Sequence, residues 1–476
     1  MKKSYIFFVN LKKTGLLLSA LFMGMLFIFP TASITAQSTD DFVITIKTDN
    51  TGSSNDNQFI IPTTGSGYNY NVDCNNDGIN EATGVTGNYT CTYATSGTYT
   101  IRIKRNDGGA TGTAWDGFPR IYFHNSGDKD KILSVNQWGK AKWTSMAFAF
   151  YGCSKLNSAS VVGGTGEPYW ATDAPNLSNV TSLNQMFHEA STFNQPVNNW
   201  DTHTITNMRA VFRNDNSFNQ PLNNWNTANV TTMYEMFYGA KAFNQPIGNW
   251  NTGQVIIMRA MFYSAIAFNQ PISNWNTSQV ITMVGMFWGA KAFNQPLNNW
   301  NTSSVKKMWA MFAAATKFNQ PIGNWNTTNL TDIGWMFWNA PAFNQDISNW
   351  NTGNITRMTE AFAGDSAFNQ NLGSWNVTSL EDAADMFYDV TLSTNNYDAL
   401  LIGWDAQNLK PNVHFSGGNS KYCLGENART NMINNDNWII TDAGKGGCIP
   451  VPLSNTAIYL LIALISLYMV VKVIKW

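Results

Sequence analysis

A period of 25 residues runs through the middle of the chain without an insertion or deletion, and it constrains the fold more than any other feature. A Trp follows seven residues after the Phe of each Phe-Asn-Gln tripeptide, as Trp200 follows Phe193. The eight tripeptides begin at Phe193, Phe218, Phe243, Phe268, Phe293, Phe318, Phe343 and Phe368. Such regularity indicates a stack of equivalent units, in which neighbours bury the apolar face that one unit cannot bury alone.

Each unit combines an extended half with a half of helical periodicity. The segment Phe-Asn-Gln-Pro-(Leu/Ile)-x-Asn-Trp contains Pro and predicts a short extended segment followed by a turn. In the other half, the apolar residues Val255, Met258, Met261, Phe262 and Ala265 have the spacing of one helical face. We therefore predict a helix of about ten residues in every unit, with a Trp-Asn-Thr turn as its N-cap.

Stacking predicts that equivalent residues form columns through the core. Phe, Trp and Met should each form an apolar column. The Asn after each Phe, such as Asn244 and Asn269, should form an amide ladder, because an unpaired buried amide costs about 1–3 kcal/mol.

The repeat region, residues 176–390, is flanked by segments of different composition. Residues 37–105 contain alternating strand patterns between Gly, Asn and Asp clusters, which predict a small antiparallel β domain. Residues 106–175 are expected to form a transition and N-terminal cap. Residues 391–448 should close the stack, with a capping helix around Tyr397–Trp404. The predicted strands include Phe42-Val-Ile-Thr-Ile-Lys, Gln58-Phe-Ile-Ile, Tyr68-Asn-Tyr-Asn-Val and Tyr89-Thr-Cys-Thr-Tyr.

The two ends of the chain predict export and attachment to a membrane. Residues 1–36 have a basic start, the apolar run Leu16–Phe29 and small residues before Gln37, which is typical of a signal peptide, with an uncleaved anchor as the alternative. Residues 449–476 contain the apolar run Ile458–Val471 followed by Lys472 and Lys475, which predicts a membrane helix with a cytoplasmic C-terminus. The region between would then lie outside the cell.

The tail also resembles the tripartite C-terminal sorting signals that exosortase-like enzymes recognise. It has a short Pro-containing motif at Ile449-Pro-Val-Pro-Leu-Ser454, an apolar span and a basic end. Whether the tail is cut or stays as a permanent anchor is open.

Five cysteines fit an oxidising compartment outside the cytoplasm. Cys74 and Cys91 lie in one strand-rich stretch, and Cys423 with Cys448 flanks the end of the folded region, so each pair is a disulfide candidate. Cys153 is the fifth cysteine and belongs to neither pair; it lies in an apolar run and is expected to be a buried thiol.

The repeat unit closely resembles the 25-residue repeat of BspA-like leucine-rich-repeat surface proteins. The resemblance rests on Met-Phe-(Tyr/Trp)-Gly-Ala-x-Ala-Phe-Asn-Gln-Pro-(Leu/Ile)-x-Asn-Trp-Asn-Thr and, upstream, on Ala149-Phe-Tyr-Gly-Cys-Ser-Lys-Leu156. It implies a mixed α/β, leucine-rich-repeat-like solenoid outside the cell that acts in adhesion or partner binding. The stretch from Tyr93 to Ile103 resembles the closing strands of PKD-like, immunoglobulin-like modules.

One segment of the β domain is a candidate metal site. Asp73, Asn75, Asp77 and Glu81 alternate as in the first half of a calcium loop, with Gly78 at the sharp turn. The Glu expected at the twelfth position is replaced by Gly84, and a polar hairpin turn is the alternative. No other cofactor is expected.

Aromatic residues on the outer side of the units form a candidate binding stripe. They are candidates for contact with an extracellular protein or glycan, but the interpretation that we favour from the sequence is packing between neighbouring coils. The stripe comprises Tyr234, Tyr238, Tyr263, Trp288, Trp309, Trp335 and Trp338.

The sequence therefore predicts a non-catalytic adhesin or binding module at the cell surface. A net charge of −1 and only 12% charged residues argue against nucleic-acid binding. A structural envelope role is the main alternative. A glycan-active enzyme is disfavoured because the acidic residues Glu235, Asp332 and Glu360 do not recur as the pairs that glycoside hydrolysis requires.

Overall fold

The computed structural model describes residues 38–157 and 170–448. The described part is mixed and mostly β, with nine strands and two helices. The predicted signal peptide (1–36) and tail (449–476) lie outside the described residues, and both stay predictions. Neither helix of the described part is long and apolar enough to cross a membrane.

The N-terminal region forms two antiparallel sheets from seven strands. A five-stranded sheet has the order β4-β3-β6-β1-β7, and β2 pairs with β5 in a second sheet. Apolar residues of the strands point into one buried cluster, which is why the alternating segments were readable as strands. The strands are β1 (Phe42–Lys47), β2 (Gln58–Ile61), β3 (Tyr70–Asp73), β4 (Ala82–Val85), β5 (Tyr89–Thr92), β6 (Thr98–Arg105) and β7 (Ile132–Gln137).

The edge strand β7 lies in the segment 106–175, which the sequence predicted as a transition and cap. It pairs antiparallel with β1, and Ile132 and Val135 are buried in the sheet core. The β sheet therefore extends past residue 105. The long connection from β6 to β7 separates this strand from the others in sequence, so local patterns do not reveal its pairing.

The prediction of a short helix in every repeat unit is wrong. Between residues 170 and 392, the described units contain turns and isolated parallel bridges but no helix. Two positions of each unit have positive φ, as at Glu235 (56°) and Gly239 (67°). Left-handed residues only four positions apart are incompatible with a continuous right-handed helix.

In the half of the unit for which the helix was predicted, alternate backbone N–H groups donate to carbonyls of the next unit. In an α-helix these N–H groups would bond within the unit. The apolar spacing that resembled a helical face arises from a series of tight turns, such as Met236 N–H to Met233 O at 3.1 Å. The bonds between units join Met233 N to Ile257 O (3.1 Å), Glu235 N to Arg259 O (3.0 Å), Phe237 N to Met261 O (2.9 Å) and Gly239 N to Tyr263 O (2.7 Å).

The predicted core columns are confirmed. Phe243 and Phe268 are fully buried, and their rings stack with centroids 6.0 Å apart at an interplanar angle of 7°. The indoles of Trp250 and Trp275 stack in the same way, with an interplanar angle of 2°. The Trp275 Nε1–H also donates to Ile247 O of the preceding unit at 3.0 Å, so each indole both fills the core and fastens two units together.

The predicted amide ladder is also confirmed. The Oδ1 of Asn244 accepts the backbone N–H of Asn269 at 2.9 Å and the Nε2–H of Gln270 at 3.1 Å. A second polar column lies at the buried Thr of Trp-Asn-Thr, where Thr252 Oγ1–H donates to Asn276 O at 2.9 Å. These columns satisfy backbone groups that regular strands would otherwise pair.

A mixed α and β segment follows the last unit. The predicted capping helix is present as α1 (Thr394–Asp405), with Leu400, Leu401 and Trp404 buried. The buried carboxylate of Asp398 on α1 accepts three backbone N–H bonds from residues 423–425, which fixes the following loop. The remaining elements are β8 (His414–Ser416), α2 (Glu426–Asp436) and β9 (Ile439–Thr441), with β8 and β9 parallel.

Candidate functional site

The seven residues of the predicted stripe are all half-buried and occupy three positions of the repeat unit. Tyr238, Tyr263, Trp288 and Trp338 occupy the position after the core Phe of their units. Trp335 occupies the left-handed position three residues earlier, with a φ of 60°. Tyr234 and Trp309 share a third position, one residue before that one.

Ring contacts connect the stripe continuously from Tyr238 to Trp338. Tyr238 and Tyr263 stack at 4.3 Å with an interplanar angle of 5°, and Trp288 follows Tyr263 at 5.1 Å. Trp335 links the last part, since its ring lies 5.9 Å from Trp288 and 5.3 Å from Trp338. These contacts pack coil against coil, as the packing interpretation expects, and the half-buried rings keep part of their surface accessible; the binding role stays a prediction.

Two clusters at the C-terminal and N-terminal ends of the stripe differ in chemistry. Trp288, Trp309 and Trp335 form a group of three indoles, with Trp309 and Trp335 stacked at 5.8 Å. At the other end, the guanidinium of Arg213 lies 4.7 Å from the centre of the Tyr238 ring and pairs with Glu235 at 3.3 Å.

Tyr234 lies between two arginines and has no ring contact to the rest of the stripe among the described residues. The guanidinium of Arg209 lies 5.1 Å from its ring centre, and that of Arg259 lies 5.7 Å away. Burial and the neighbouring Glu235 raise the pKa of its phenol, so Tyr234 presents a neutral hydroxyl. Cation–π contacts of this kind hold the arginines at the surface beside the stripe.

The structure extends the stripe by two residues that sequence reasoning missed. His188 bonds Arg213 through Nε2 at 3.0 Å, and its ring stacks on Tyr151 at 4.3 Å. Burial and the nearby Arg213 lower the pKa of His188 to about 4, so this imidazole is neutral at physiological pH. The signal was available, because His188 and Tyr151 also follow a core Phe directly.

Hydrogen bonds between units fix the backbone of the stripe. The left-handed residue of one unit donates its N–H to the carbonyl of the next stripe residue, as Ser264 does to Trp288 at 2.6 Å. The same bond joins Ala314 N to Trp338 O at 2.6 Å. The backbone carbonyl of each of these Trp residues is therefore bonded to the preceding unit.

Two acidic residues lie near the indole end. Glu360 and Asp385 occupy equivalent positions of adjacent units. Burial and the charge of Asp385 raise the pKa of Glu360, and a hydrogen bond from Trp338 opposes that rise. Of the other acidic residues considered from the sequence, Asp332 accepts the backbone N–H of Gly334 at 2.9 Å, which is a turn contact.

The candidate metal ligands lie at the end of β3 and in the loop that follows it. One carboxylate oxygen from each of Asp73, Asp77 and Glu81 lies within 4.8 Å of the other two. Asn75 lies beside them, with its amide N–H donating to Asp77 Oδ2 at 3.1 Å. The structure thus brings three of the four residues together as a possible ligand set.

All five cysteines lie in the described residues. Disulfides join Cys74 to Cys91 and Cys423 to Cys448. Cys153 is a free, buried thiol, and burial raises its pKa well above the usual value.

Comparison with known proteins identifies the repeats. A family model described as "Mycoplasma protein of unknown function, DUF285" matches three overlapping segments, residues 144–266, 245–340 and 320–420. No curated protein matches the sequence. The three matches together span more than half of the chain, and they follow one another through the 25-residue units. The chain therefore belongs to the family described as Mycoplasma protein of unknown function, DUF285.

Proposed function

We propose that this protein is a non-catalytic binding module displayed outside the cell, and that its aromatic stripe contacts a protein partner. The proposal includes a leucine-rich-repeat-like solenoid of the BspA type, preceded by a PKD-like, immunoglobulin-like domain. The stripe is the observation that supports it: a connected, half-buried line of rings with arginines beside it.

The way the rings are arranged favours a protein over a glycan. A sugar ring packs on a free aromatic face, whereas Tyr238 and Tyr263 cover each other's faces at 4.3 Å. The guanidinium groups of Arg213 and Arg259 lie beside the tyrosine rings. Tyr, Trp and Arg are the residue types that contribute most of the binding energy in protein interfaces.

The test is replacement of two indoles with a matched control. Trp288→Ala combined with Trp338→Ala should weaken binding to protein partners by at least tenfold, since each hot-spot residue contributes about 2 kcal/mol or more. Tyr388→Ala is the control, because Tyr388 occupies the same repeat position and is 64% exposed. The purified chain is applied to arrays of extracellular proteins and of glycans, and circular dichroism monitors the fold.

The outcomes separate the alternatives. Selective loss of protein binding in the double variant, with normal binding by Tyr388→Ala, supports the proposal. Binding to glycans alone would replace the protein partner by a carbohydrate. Unfolding of the double variant would assign these indoles to packing, and an absence of any binding would favour a structural envelope role.

Display at the surface has a separate test. We expect that protease added to intact cells degrades the repeat region. We also expect the mass of the mature protein to be that of a chain beginning at Gln37. The mass of its C-terminal fragment decides between a cut tail and a permanent anchor. Protection of the repeats in intact cells would contradict the proposed location.

A further inference from the structure

The loop between β3 and β4 gathers oxygen-bearing side chains at one end of the N-terminal sheet. Asp73 is the last residue of β3, and Asp77 and Glu81 follow in the loop before β4 begins at Ala82. Gly78 has a φ of 93°, so the chain turns back sharply there. This turn places one oxygen of each of the three carboxylates within 4.8 Å of the other two.

One carboxylate of this group has a buried oxygen without a hydrogen-bond partner. The Asp73 side chain is fully buried, and its Oδ2 accepts the Gly78 N–H at 3.0 Å and pairs with Lys104 Nζ at 2.8 Å. Its Oδ1 is buried and has no hydrogen-bond partner. A buried carboxylate oxygen without a donor is costly, and a metal ion satisfies it directly.

The local charge also favours a cation. Three carboxylates converge, and the ion pair of Lys104 compensates only one of them through Asp73 Oδ2. Asp77 and Glu81 are exposed, which leaves the group open to an ion from solvent. We propose that Asp73, Asp77 and Glu81 bind one calcium ion, with water and neighbouring oxygens completing its coordination.

The ligand set selects calcium among common metal ions. All three side chains offer hard oxygen ligands, and the cluster contains no His or Cys, which zinc and later transition metals prefer. Magnesium requires a compact octahedron of near-ideal geometry, whereas calcium tolerates an irregular loop with six to eight oxygens. Glu81, at the ninth loop position, supplies the carboxylate that Gly84 cannot supply at the twelfth.

A bound ion would fasten the loop to the disulfide beside it. The backbone N–H of Cys74 donates to Glu81 Oε2 at 2.6 Å, and Cys74 is joined to Cys91 on β5. The ion would therefore link the end of β3 to the loop, while the disulfide links the same loop to β5. This role does not depend on what the aromatic stripe binds.

The test is titration of CaCl2 into the full chain, freed of metal with a chelator and measured by calorimetry. We expect one calcium ion per chain, with a Kd of roughly 0.1–1 mM or tighter, the range of extracellular calcium modules. Asp77→Asn and Glu81→Gln should each raise the Kd at least tenfold. Asp56→Asn, which removes an exposed carboxylate elsewhere in the same domain, should leave the Kd unchanged.

Near-UV circular dichroism of each variant in chelator must match the wild type, and both replaced side chains are exposed and keep their size. An absence of calcium binding by the wild-type chain would overturn the proposal. Equal calcium affinity in wild type and both variants would place the ion elsewhere and overturn it too. Equal affinity for MgCl2 would refute the choice of calcium.

Discussion

Asp365 is a carboxylic acid in the apolar core, and its replacement should stabilise the protein. It occupies the column position that is Ala240, Ala265 or Ala340 in other units, and its side chain is fully buried. Neither carboxyl oxygen makes a hydrogen bond of normal geometry, although the nearby Ala367 N–H lowers the pKa in part. Burial outweighs that effect and raises the pKa of Asp365 from 3.8 to about 9.

The raised pKa gives the size and the sign of the effect. At pH 7 the carboxyl is protonated in the folded chain and ionised in the unfolded chain. Each pH unit above 3.8 costs about 1.4 kcal/mol, so the penalty at pH 7 is at most about 4 kcal/mol. Asp365→Ala should therefore raise the free energy of unfolding by about 2–4 kcal/mol, because Ala already packs at this position in neighbouring units.

The pH dependence separates this cause from better packing. Between pH 4 and pH 9 the unfolded state binds fewer protons at this site than the folded state, so the wild-type stability falls as the pH rises. The advantage of Asp365→Ala should be small near pH 4 and should grow by up to about 1.4 kcal/mol per pH unit toward pH 9.

Urea unfolding followed by tryptophan fluorescence at several pH values measures this difference, and amide hydrogen exchange near residue 365 detects local opening if units unfold separately. Asp346→Ala is the control in the same unit, where the backbone N–H of Ser348 lowers the pKa of a surface carboxylate. Its removal should bring no gain. An Asp365→Ala gain that is absent at pH 7, or constant from pH 5 to pH 8, would refute the reasoning.

Two further perturbations test the polar columns and the stripe. Asn269→Ala should lower the free energy of unfolding by about 1–3 kcal/mol, because it removes the acceptor of the Asn294 N–H. Replacement of the exposed Asn274 by Ala should change the free energy of unfolding little, and chemical unfolding of both variants measures the difference. Burial, and to a smaller extent Arg213, lower the pKa of His188 to about 4, so its imidazole should titrate near pH 4 in the NMR spectrum of the folded protein. The protein should lose stability as the pH falls from 6.5 to 4, because the unfolded state binds the proton first. A titration midpoint near 6.5 would contradict the burial of His188 in the stripe.

The core of the repeats could be predicted from the sequence because each column repeats one residue type. Phe243 and Phe268 are 25 residues apart and stack, and the ladder of Asn244 and Asn269 follows from the same period. The antiparallel strands and the capping helix were also readable, since their apolar patterns are local.

The predicted helix failed because its apolar spacing also fits a series of turns. The left-handed residue that distinguishes the two is Gly239 in one unit but Ser264 and Ala314 in others, so one unit alone does not reveal it. The bonds that replace the helix reach 24 residues ahead, as from Met233 N to Ile257 O, and no local pattern encodes them.

The positions of the stripe residues could be predicted from the sequence, but the ring contacts between them could not. Trp335 joins Trp288 to Trp338 because a left-handed backbone directs its side chain between them, and that conformation is unusual for a bulky residue. The buried Asp365 had a visible signal, because it interrupts a column of Ala.

Because the bonds between successive units repeat with the same period, the fold does not fix the number of units. The N–H groups that bond between units find their acceptors at constant offsets, 24 residues ahead in backbone bonds such as Met233 N to Ile257 O, and 25 or 26 residues behind in the amide ladder. Removing or adding 25 residues within the stack therefore reconnects equivalent atoms and leaves both end segments with the contacts they had. A change of 24 or 26 residues would shift every column against its neighbour. Length can thus be altered in whole steps, and each step would move the N-terminal domain nearer to or farther from the C-terminal segment without a new fold.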